Sequence, residues 1–294
     1  MTLGISADYA PPVIEVVTLG GRLELSEDAV QDLAKRLRGR LLRSGDEGYD
    51  EARLIWNRAI DRRPALIACC AGADDVRAAV GYAREHDLLV SVRGGGHNVT
   101  GHAVCEGGLM IDLSALKTAR VDAARARLTA GPGLTWGELD VATQRHGLAT
   151  TGGIISTTGV AGLTLGGGHG WLMRKHGLAC DNLAAVELVT ADGALVRASA
   201  EENPELFWGV RGGGGNFGVV TTFEFDLHPL GTILAGLLLY PLSRGREILE
   251  SYRDLASTAP DDLTVGILIT TWFDGTRSWP SRCAGAARWT RASG

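Results

Sequence analysis

Three glycine-rich stretches constrain the fold of this chain more than any other feature of its sequence. They are residues 93–98 (Arg-Gly-Gly-Gly-His-Asn), residues 152–170 and residues 211–218 (Arg-Gly-Gly-Gly-Gly-Asn-Phe-Gly). Glycine loses more backbone entropy on folding than other residues, so such runs require a compensating reason. The usual reason is close approach of the main chain to a partner. Successive backbone N–H groups bind anions such as the pyrophosphate of a nucleotide, and we expect an anionic cofactor here.

Composition excludes several functional classes. A chain of 294 residues that is 45% hydrophobic can bury a large core in one or two domains. Its net charge of −5, with both signs interspersed, argues against a nucleic-acid partner. No apolar stretch is long enough to span a bilayer, and residues 1–25 lack the pattern of a signal peptide, which predicts a cytoplasmic protein without a membrane partner. The five cysteines are scattered without a CxxC pair, which favours neither a zinc site nor a disulfide framework.

Hydrophobic periodicity predicts a mixed α+β fold. Residues 64–92 read as a strand (Pro64–Cys70), a helix (Ala73–His86) and a second strand (Leu88–Val92) that runs into the first glycine stretch. Helices are also predicted over residues 26–42 and 135–146. Further strands are predicted over residues 108–112, 126–130, 184–190, 194–198, 219–227 and 233–240, with a turn at residues 191–193.

The third glycine stretch matches the letters of a dinucleotide-binding fingerprint. Residues 213–218 fit GxGxxG, but that fingerprint requires a helix after the glycines. Here the chain continues into residues 219–225, whose alternating pattern predicts a strand. A Rossmann domain is therefore excluded, and the sequence contains no phosphate-binding P-loop motif.

His97 is the most informative single residue, because it closes the first glycine stretch on a loop rather than on an apolar face. A neutral imidazole there could act as a base, as a metal ligand or as a nucleophile toward a cofactor. A metal is disfavoured because no second ligand lies at a useful spacing; His102 is five residues on, across Gly101.

Four motifs together resemble one family. Residues 93–98, 151–153, 158–168 and 207–218 are similar, in order and spacing, to the FAD-binding (PCMH-type) domain of the vanillyl-alcohol-oxidase superfamily, in its berberine-bridge-enzyme-like branch. The resemblance implies an FAD-binding domain of two α/β subdomains over residues 61–231. Residues 1–60 would form an N-terminal helical arm, and residues 232–276 the start of an antiparallel-sheet substrate domain.

The resemblance also implies FAD as the cofactor and His97 as the residue bonded to the 8α-methyl carbon of the flavin. Ile155 stands where doubly linked members carry a cysteine and Cys180 is out of register, so one covalent bond is expected. Thr158 stands at a position that tunes access of oxygen, which leaves oxidase and dehydrogenase both open. The remaining implied cofactor-binding residues are Arg93, Gly94, Gly95, Gly96, Asn98, Gly152, Gly153, Thr158, Gly159, Gly162, Gly166, Gly167, Gly168 and Val220.

The implied function is oxidation of a hydroxyl- or amine-bearing small molecule by hydride transfer to flavin N5, with oxygen or another acceptor taking the electrons. Two alternatives stay open: a noncovalent FAD dehydrogenase, and a truncated, non-catalytic flavin-binding remnant. The second arises because residues 277–294 have no acidic residue and no apolar periodicity, and read as an aberrant or disordered tail. No general base is identified. Trp171, Trp208 and Phe217 are expected to be packing residues, and Gly95 to bring main chain to phosphate.

Overall fold

The computed structural model describes residues 13–271 and 282–291. Its strands are β1 Val13–Thr18, β2 Gly21–Ser26, β3 Arg40–Leu42, β4 Leu66–Cys69, β5 Val90–Arg93, β6 Leu109–Asp112, β7 Ala119–Asp122, β8 Arg127–Ala130, β9 Leu148–Ala149, β10 Leu183–Val189, β11 Leu195–Ser199, β12 Val219–Asp226, β13 His228–Pro229, β14 Ile233–Pro241, β15 Thr264–Thr271 and β16 Arg282–Arg291. Its helices are α1 Glu27–Arg36, α2 Tyr49–Arg53, α3 Ala73–Glu85, α4 Trp136–Gln144, α5 Val160–Leu165, α6 Met173–His176, α7 Pro204–Val210 and α8 Gly245–Thr258, with short 3-10 turns at Ala179–Asn182, Gly214–Phe217 and Leu242–Arg244.

The first subdomain is a four-stranded sheet in the order β3-β4-β6-β5. Strands β4 and β5 both pair with β6 in parallel, and α3 connects them, as the β-α-β pattern predicts. Helix α3 packs its apolar side on this sheet, and Val76, Ala79 and Tyr82 are fully buried in the shared core. This topology places the first glycine stretch directly after β5.

Helix α1 is shorter than predicted. It begins after Ser26, whose side chain accepts a hydrogen bond from the N–H of Ala29, but it ends at Arg36 rather than at residue 42. The carboxylate of Asp75 accepts hydrogen bonds from the backbone N–H groups of Arg38 (2.9 Å) and Gly39 (3.0 Å). The chain then leaves as β3, which pairs antiparallel with β4. A side chain 36 residues away thus ends a helix that periodicity alone continues.

The described part of residues 1–60 is not a helical arm, which corrects the prediction from sequence. Strands β1 and β2 form an antiparallel hairpin ahead of α1. Val16, Leu25 and Leu33 are buried in the same core as β4 and β6. Because apolar side chains of the hairpin fill this core, the N-terminal residues from Val13 onward are part of the first subdomain.

The second subdomain is a five-stranded antiparallel sheet in the order β11-β10-β12-β8-β7. The predicted turn at residues 191–193 joins β10 to β11 as a hairpin. Helix α4 begins in a capping box, in which Thr135 and Glu138 satisfy each other's backbone N–H groups. The third glycine stretch leads into β12, as the exclusion of a Rossmann domain requires.

The last described unit contains the strands β14, β16 and β15, paired in that order, together with α8. Residues 282–291, predicted to belong to an aberrant or disordered tail, form the central strand of this sheet; residues 272–281 and 292–294 lie outside the described part. Leu234, Leu238, Leu268 and Ile269 are exposed, whereas the side chains of Leu237 and Leu239 are not described. Within the described residues, none of the helices has the length and apolar character needed to cross a membrane.

Candidate cofactor-binding site

The loop after β5 presents a row of free backbone donors. From Gly94 to Asn98, none of the amide N–H groups donates a hydrogen bond to another residue in the described part of the chain. Gly96 has a φ of +64°, which glycine adopts without strain. Consecutive unpaired N–H groups at the end of a strand form a concave anion-binding nest. The loop therefore suits a phosphate or pyrophosphate group.

The first and second glycine stretches are in contact through their backbones. A Cβ placed on Gly95 would lie 2.6 Å from the backbone nitrogen of Gly159, and one placed on Gly159 would lie 2.5 Å from the nitrogen of Gly95. A Cβ on Gly94 would lie 2.9 Å from the carbonyl oxygen of Pro132. The nearest neighbour of a Cβ on Gly95 is therefore protein main chain, so the missing side chain lets two backbones approach closely.

His97 stands between an aromatic ring and a hydroxyl group. Its imidazole stacks on the indole of Trp56, with ring centroids 4.8 Å apart and planes 23° apart. Its Nε2 lies 3.3 Å from Oγ1 of Thr157. Nδ1 makes no hydrogen bond to any residue that the structure describes, so one nitrogen is held and the other is available. Trp56 and Thr157 were not predictable as site residues, because they lie 41 and 60 positions from His97 and only the fold brings them together.

The side chains that flank His97 hold the shape of the loop. Arg93 donates from Nη1 to the carbonyl oxygen of Ala52 at 2.5 Å and lies 3.7 Å from the carboxylate of Asp112. Asn98 accepts hydrogen bonds at Oδ1 from the hydroxyl of Thr100 (2.8 Å) and the backbone N–H of His102 (3.0 Å). Both predicted site residues thus act on the loop through hydrogen bonds within the protein.

The second stretch folds back against Trp136. A Cβ on Gly152 or Gly153 would meet the indole of Trp136 at 2.6 or 3.1 Å. Thr158 accepts a hydrogen bond at its carbonyl oxygen from the N–H of Trp136 (3.0 Å), and Gly159 is the N-cap of α5. Three glycines end α5: Gly166 is its C-cap, and Gly167 and Gly168 have φ values of +101° and +81°. A Cβ on Gly162 would face open space.

Several polar groups near this stretch are buried without a partner. The hydroxyls of Thr150, Thr151 and Thr164 and the indole N–H of Trp136 form no hydrogen bond within the described part of the chain. An unsatisfied buried polar group costs roughly 1–3 kcal/mol, so each of these groups calls for a polar partner, such as a ligand or water. Together with the free N–H groups of residues 94–98, these groups fit a large ligand with phosphates and a polar ring system. FAD is such a molecule.

Val220 lies in β12, with its side chain 4% exposed in the core of the second subdomain. Strand β8 pairs only with Phe223–Asp226, so one backbone edge of β12 is unpaired from Val219 to Thr222 among the described strands. A main-chain contact at Val220, as the family resemblance implies, is compatible with this free edge.

The surroundings of Ile155, Cys69 and Cys180 bear on whether a second attachment point exists. Ile155, at the place of the second anchor, is 54% exposed. Cys180 is buried, and burial raises the pKa of its thiol, which disfavours the reactive thiolate. Burial likewise raises the pKa of Cys69 to about 11. No group of three or more metal-ligating side chains occurs among the described residues.

The predicted packing residues behave differently from one another. The ring of Phe217 packs over Gly209 and Gly213, as expected for a packing residue. Trp208 is 73% exposed on α7, so the prediction that it is a packing residue is wrong. Periodicity over the seven residues of α7 is too short to assign its buried side, and Phe207 and Val210 fill that side instead.

The chain is similar in sequence to known FAD-linked proteins. Residues 64–199 match the FAD binding domain family. The (R)-6-hydroxynicotine oxidase of Paenarthrobacter nicotinovorans is 38% identical over 236 residues, which are 79% of this chain and 52% of the relative. An FAD-linked oxidoreductase of Dictyostelium discoideum is 36% identical over 244 residues, which are 82% of this chain and 54% of the relative.

Solved structures give the same result. The 6-hydroxy-D-nicotine oxidase of Arthrobacter nicotinovorans superposes with a TM-score of 0.80 at 35% identity, covering 88% of this chain and 56% of that one. The berberine-bridge-enzyme-like 1 protein of Physcomitrella patens superposes with a TM-score of 0.81 at 26% identity, covering 89% and 56%. This chain thus spans about half the length of the relatives it matches.

Proposed function

This chain carries an FAD binding domain and belongs with the FAD-linked oxidoreductases of the vanillyl-alcohol-oxidase family, including berberine-bridge-enzyme-like proteins; on that premise we propose that it binds FAD covalently through His97 and serves the oxidation of a small molecule. The predicted family, α+β fold and FAD cofactor are confirmed by these relationships. The proposed substrate carries a hydroxyl or amine group, and oxygen or another acceptor takes the electrons.

The observation that carries the proposal is the row of unpaired N–H groups from Gly94 to Asn98, which includes a histidine with one free ring nitrogen. The amides of residues 94–98 would hold the pyrophosphate, and the unpartnered hydroxyls of Thr150, Thr151 and Thr164 would serve as polar partners. When bound, FAD supplies an electrophilic 8α carbon and, at N5, the acceptor of a hydride. The protein supplies orientation and a preorganised electrostatic environment.

The arrangement around His97 accommodates the tautomer that the covalent step requires. If Oγ1 of Thr157 accepts a hydrogen bond from Nε2–H, the lone pair of Nδ1 is free. Nδ1 would bond to the 8α carbon while one C–H bond at that carbon and the Nε2–H bond break. Two protons and two electrons would leave to dioxygen as hydrogen peroxide. The absence of a thiol at Ile155 limits the attachment to this single bond.

Replacement of the histidine tests the proposal directly. The full chain and the variants His97→Ala and His102→Ala would be incubated with FAD, precipitated with acid, and digested. We expect flavin fluorescence to remain with the wild-type peptide containing His97 and to disappear from His97→Ala. His102→Ala, an exposed histidine of the same loop, is the matched control and should keep it.

If His97→Ala still binds FAD noncovalently, the result would support the free amides as the binding site and would show that His97 is needed for the covalent link alone. Covalent flavin that survives in His97→Ala would refute the attachment. Flavin that acid extracts completely from the wild-type chain would favour the noncovalent dehydrogenase.

A further inference from the structure

Trp56 is a large apolar side chain that the core does not hold. It is 57% exposed, and the ring contact that it makes is with the imidazole of His97. Burial of an aromatic ring is a main source of folding free energy, so an indole that is more than half exposed contributes less to stability than a core tryptophan does. The stacking contact of Trp56 instead restricts the orientation of the imidazole ring of His97.

The backbone around Trp56 is fixed to the loop that carries His97. The N–H of Trp56 donates to the carbonyl oxygen of Gly96 (2.9 Å), and the side-chain amide of Asn57 donates to the carbonyl oxygen of Val99 (2.8 Å). Farther along, Nη1 of Arg62 donates to the carbonyl oxygens of Gly101 and Val104, both at 3.0 Å. Residues 56–62, which we call the clamp, thus hold the loop on both sides of His97.

The base of the clamp is itself rigid. Arg53 is 9% exposed, and its guanidinium pairs with Asp50 at 2.7 Å and with Asp61. Charge-assisted hydrogen bonds of this kind fix geometry more strongly than neutral ones. The indole is therefore carried on a segment that is tied down at its beginning and along its length.

An imidazole on an exposed loop would otherwise turn with little resistance, because the torsion between an sp³ and an sp² atom is broad. Stacking on Trp56 restricts the plane of the ring, and the contact of Nε2 with Thr157 restricts its direction within that plane. With both restraints, Nδ1 has one orientation. Positioning of a nucleophile in this way removes part of the entropic barrier to bond formation.

We infer that Trp56 is a positioning residue for covalent attachment: by stacking on His97 it holds Nδ1 in the orientation from which the bond to the 8α carbon of FAD forms. This inference rests on the proposed function. As the bond forms, one C–H bond at the 8α carbon and the Nε2–H bond of His97 break, and dioxygen takes up the two protons and two electrons. The clamp would act on the rate of attachment and leave noncovalent binding of FAD to the amides of residues 94–98 unchanged.

The test compares Trp56→Ala, Trp56→Phe and the wild-type chain. Apo protein would be mixed with FAD in air, and covalent flavin followed over time by fluorescence of acid-washed gel bands. We expect Trp56→Ala to attach flavin at about one tenth of the wild-type rate or below, and its noncovalent affinity for FAD to stay within about two-fold of the wild-type affinity. Trp56→Phe, which keeps an aromatic face, should recover most of the rate. Trp208→Ala removes a comparably exposed indole from α7 and should match the wild type.

A second measurement reports orientation directly. In NMR spectra of the apo chain, the imidazole proton signals of His97 should be shifted upfield by the ring current of Trp56, and that shift should be lost in Trp56→Ala. Attachment at the wild-type rate in Trp56→Ala would overturn the inference while leaving the proposed function intact. A wild-type chain that never attaches flavin would overturn both the covalent link and this role of Trp56.

Discussion

The loop of residues 93–98 and the stretch of residues 211–218 look alike in sequence but use their glycines differently. In the first, the N–H groups of residues 94–98 are unpaired, and Gly95 touches the backbone of Gly159. In the second, Gly212 donates to the carbonyl oxygen of Leu165 (3.0 Å), and a Cβ on Gly209 or Gly213 would meet the ring of Phe217 at 2.7 or 2.5 Å.

The difference shows that a glycine run indicates close approach without saying what approaches. In the first region the absence of side chains lets two backbones meet and leaves donors free for a ligand. In the second it makes room for an aromatic ring of the protein itself and permits the φ of +144° at Gly218, beside the carbonyl oxygen of Val189. The first region is therefore expected to respond to substitution through cofactor binding, and the second through stability alone.

The strongest test of this contrast is Gly95→Ala. The added methyl group would overlap the backbone of Gly159, which cannot move aside as a flexible side chain can. We expect the free energy of unfolding to fall by about 1–3 kcal/mol or more. We expect FAD retention to fall by more than this loss of stability alone would cause. The measurements are urea unfolding of the apo chain and flavin absorbance after gel filtration.

Gly215→Ala is the matched control in the other region. A Cβ there meets nothing within 4 Å, and the φ of Gly215 is not in the left-handed region. Stability and FAD retention should both be close to wild type. If Gly95→Ala retains FAD as well as Gly215→Ala does, the separation of the two regions fails.

Phe217→Ala is expected to have a smaller effect, and one on stability rather than on FAD retention. Loss of the ring leaves a space over Gly209 and Gly213, but the ring is 39% exposed. We expect about 1–2 kcal/mol of destabilisation, less than the 3–5 kcal/mol typical of a fully buried phenylalanine, with FAD retention unchanged. Thermal unfolding and flavin titration measure the two quantities. Loss of FAD at unchanged stability would show that the third stretch also serves the cofactor.

The smallest expected effect concerns the dependence of stability on pH, which reflects the different surroundings of the histidines. His97 stands on the half-exposed loop, whereas His176 and His228 stack with centroids 3.8 Å apart, and Nε2 of His228 lies 2.6 Å from Oδ1 of Asn182. Burial lowers the pKa of both from the ordinary 6.5. The charges of His228 and Lys175 lower the pKa of His176 further, whereas Asp262 raises that of His176 and Asp226 raises that of His228.

A lowered pKa means that the unfolded chain takes up protons more readily than the folded chain. The contribution of this pair is therefore complete above a pH of about 6.5 and is lost progressively as the pH falls below it. We expect Tm to fall with pH in this window less steeply in His228→Gln than in the wild type. His146→Gln, an exposed histidine, should keep the wild-type slope. Equal slopes in all three proteins would contradict the role of the pair.

Much of the fold follows from local signals in the sequence. Helix α3, the hairpin of β10 and β11, and the strand after the third glycine stretch were all predictable, because period, turn residues and caps act between close neighbours. The end of α1 was not, because Asp75 decides it from 36 residues away. The hairpin of β1 and β2 and the strand β16 were missed because their pairing partners, not their own periodicity, make them strands.

The sequence by itself predicted which residues form the candidate site: glycines with the backbone freedom that close approach requires, and a histidine near the end of the first run. Only the tertiary structure decided what each of them touches. Gly95 meets Gly159, and His97 meets Trp56 and Thr157, across separations of 41 to 64 positions. Such contacts are absent from any local pattern because they exist only once β5, the clamp and the second glycine stretch are packed together.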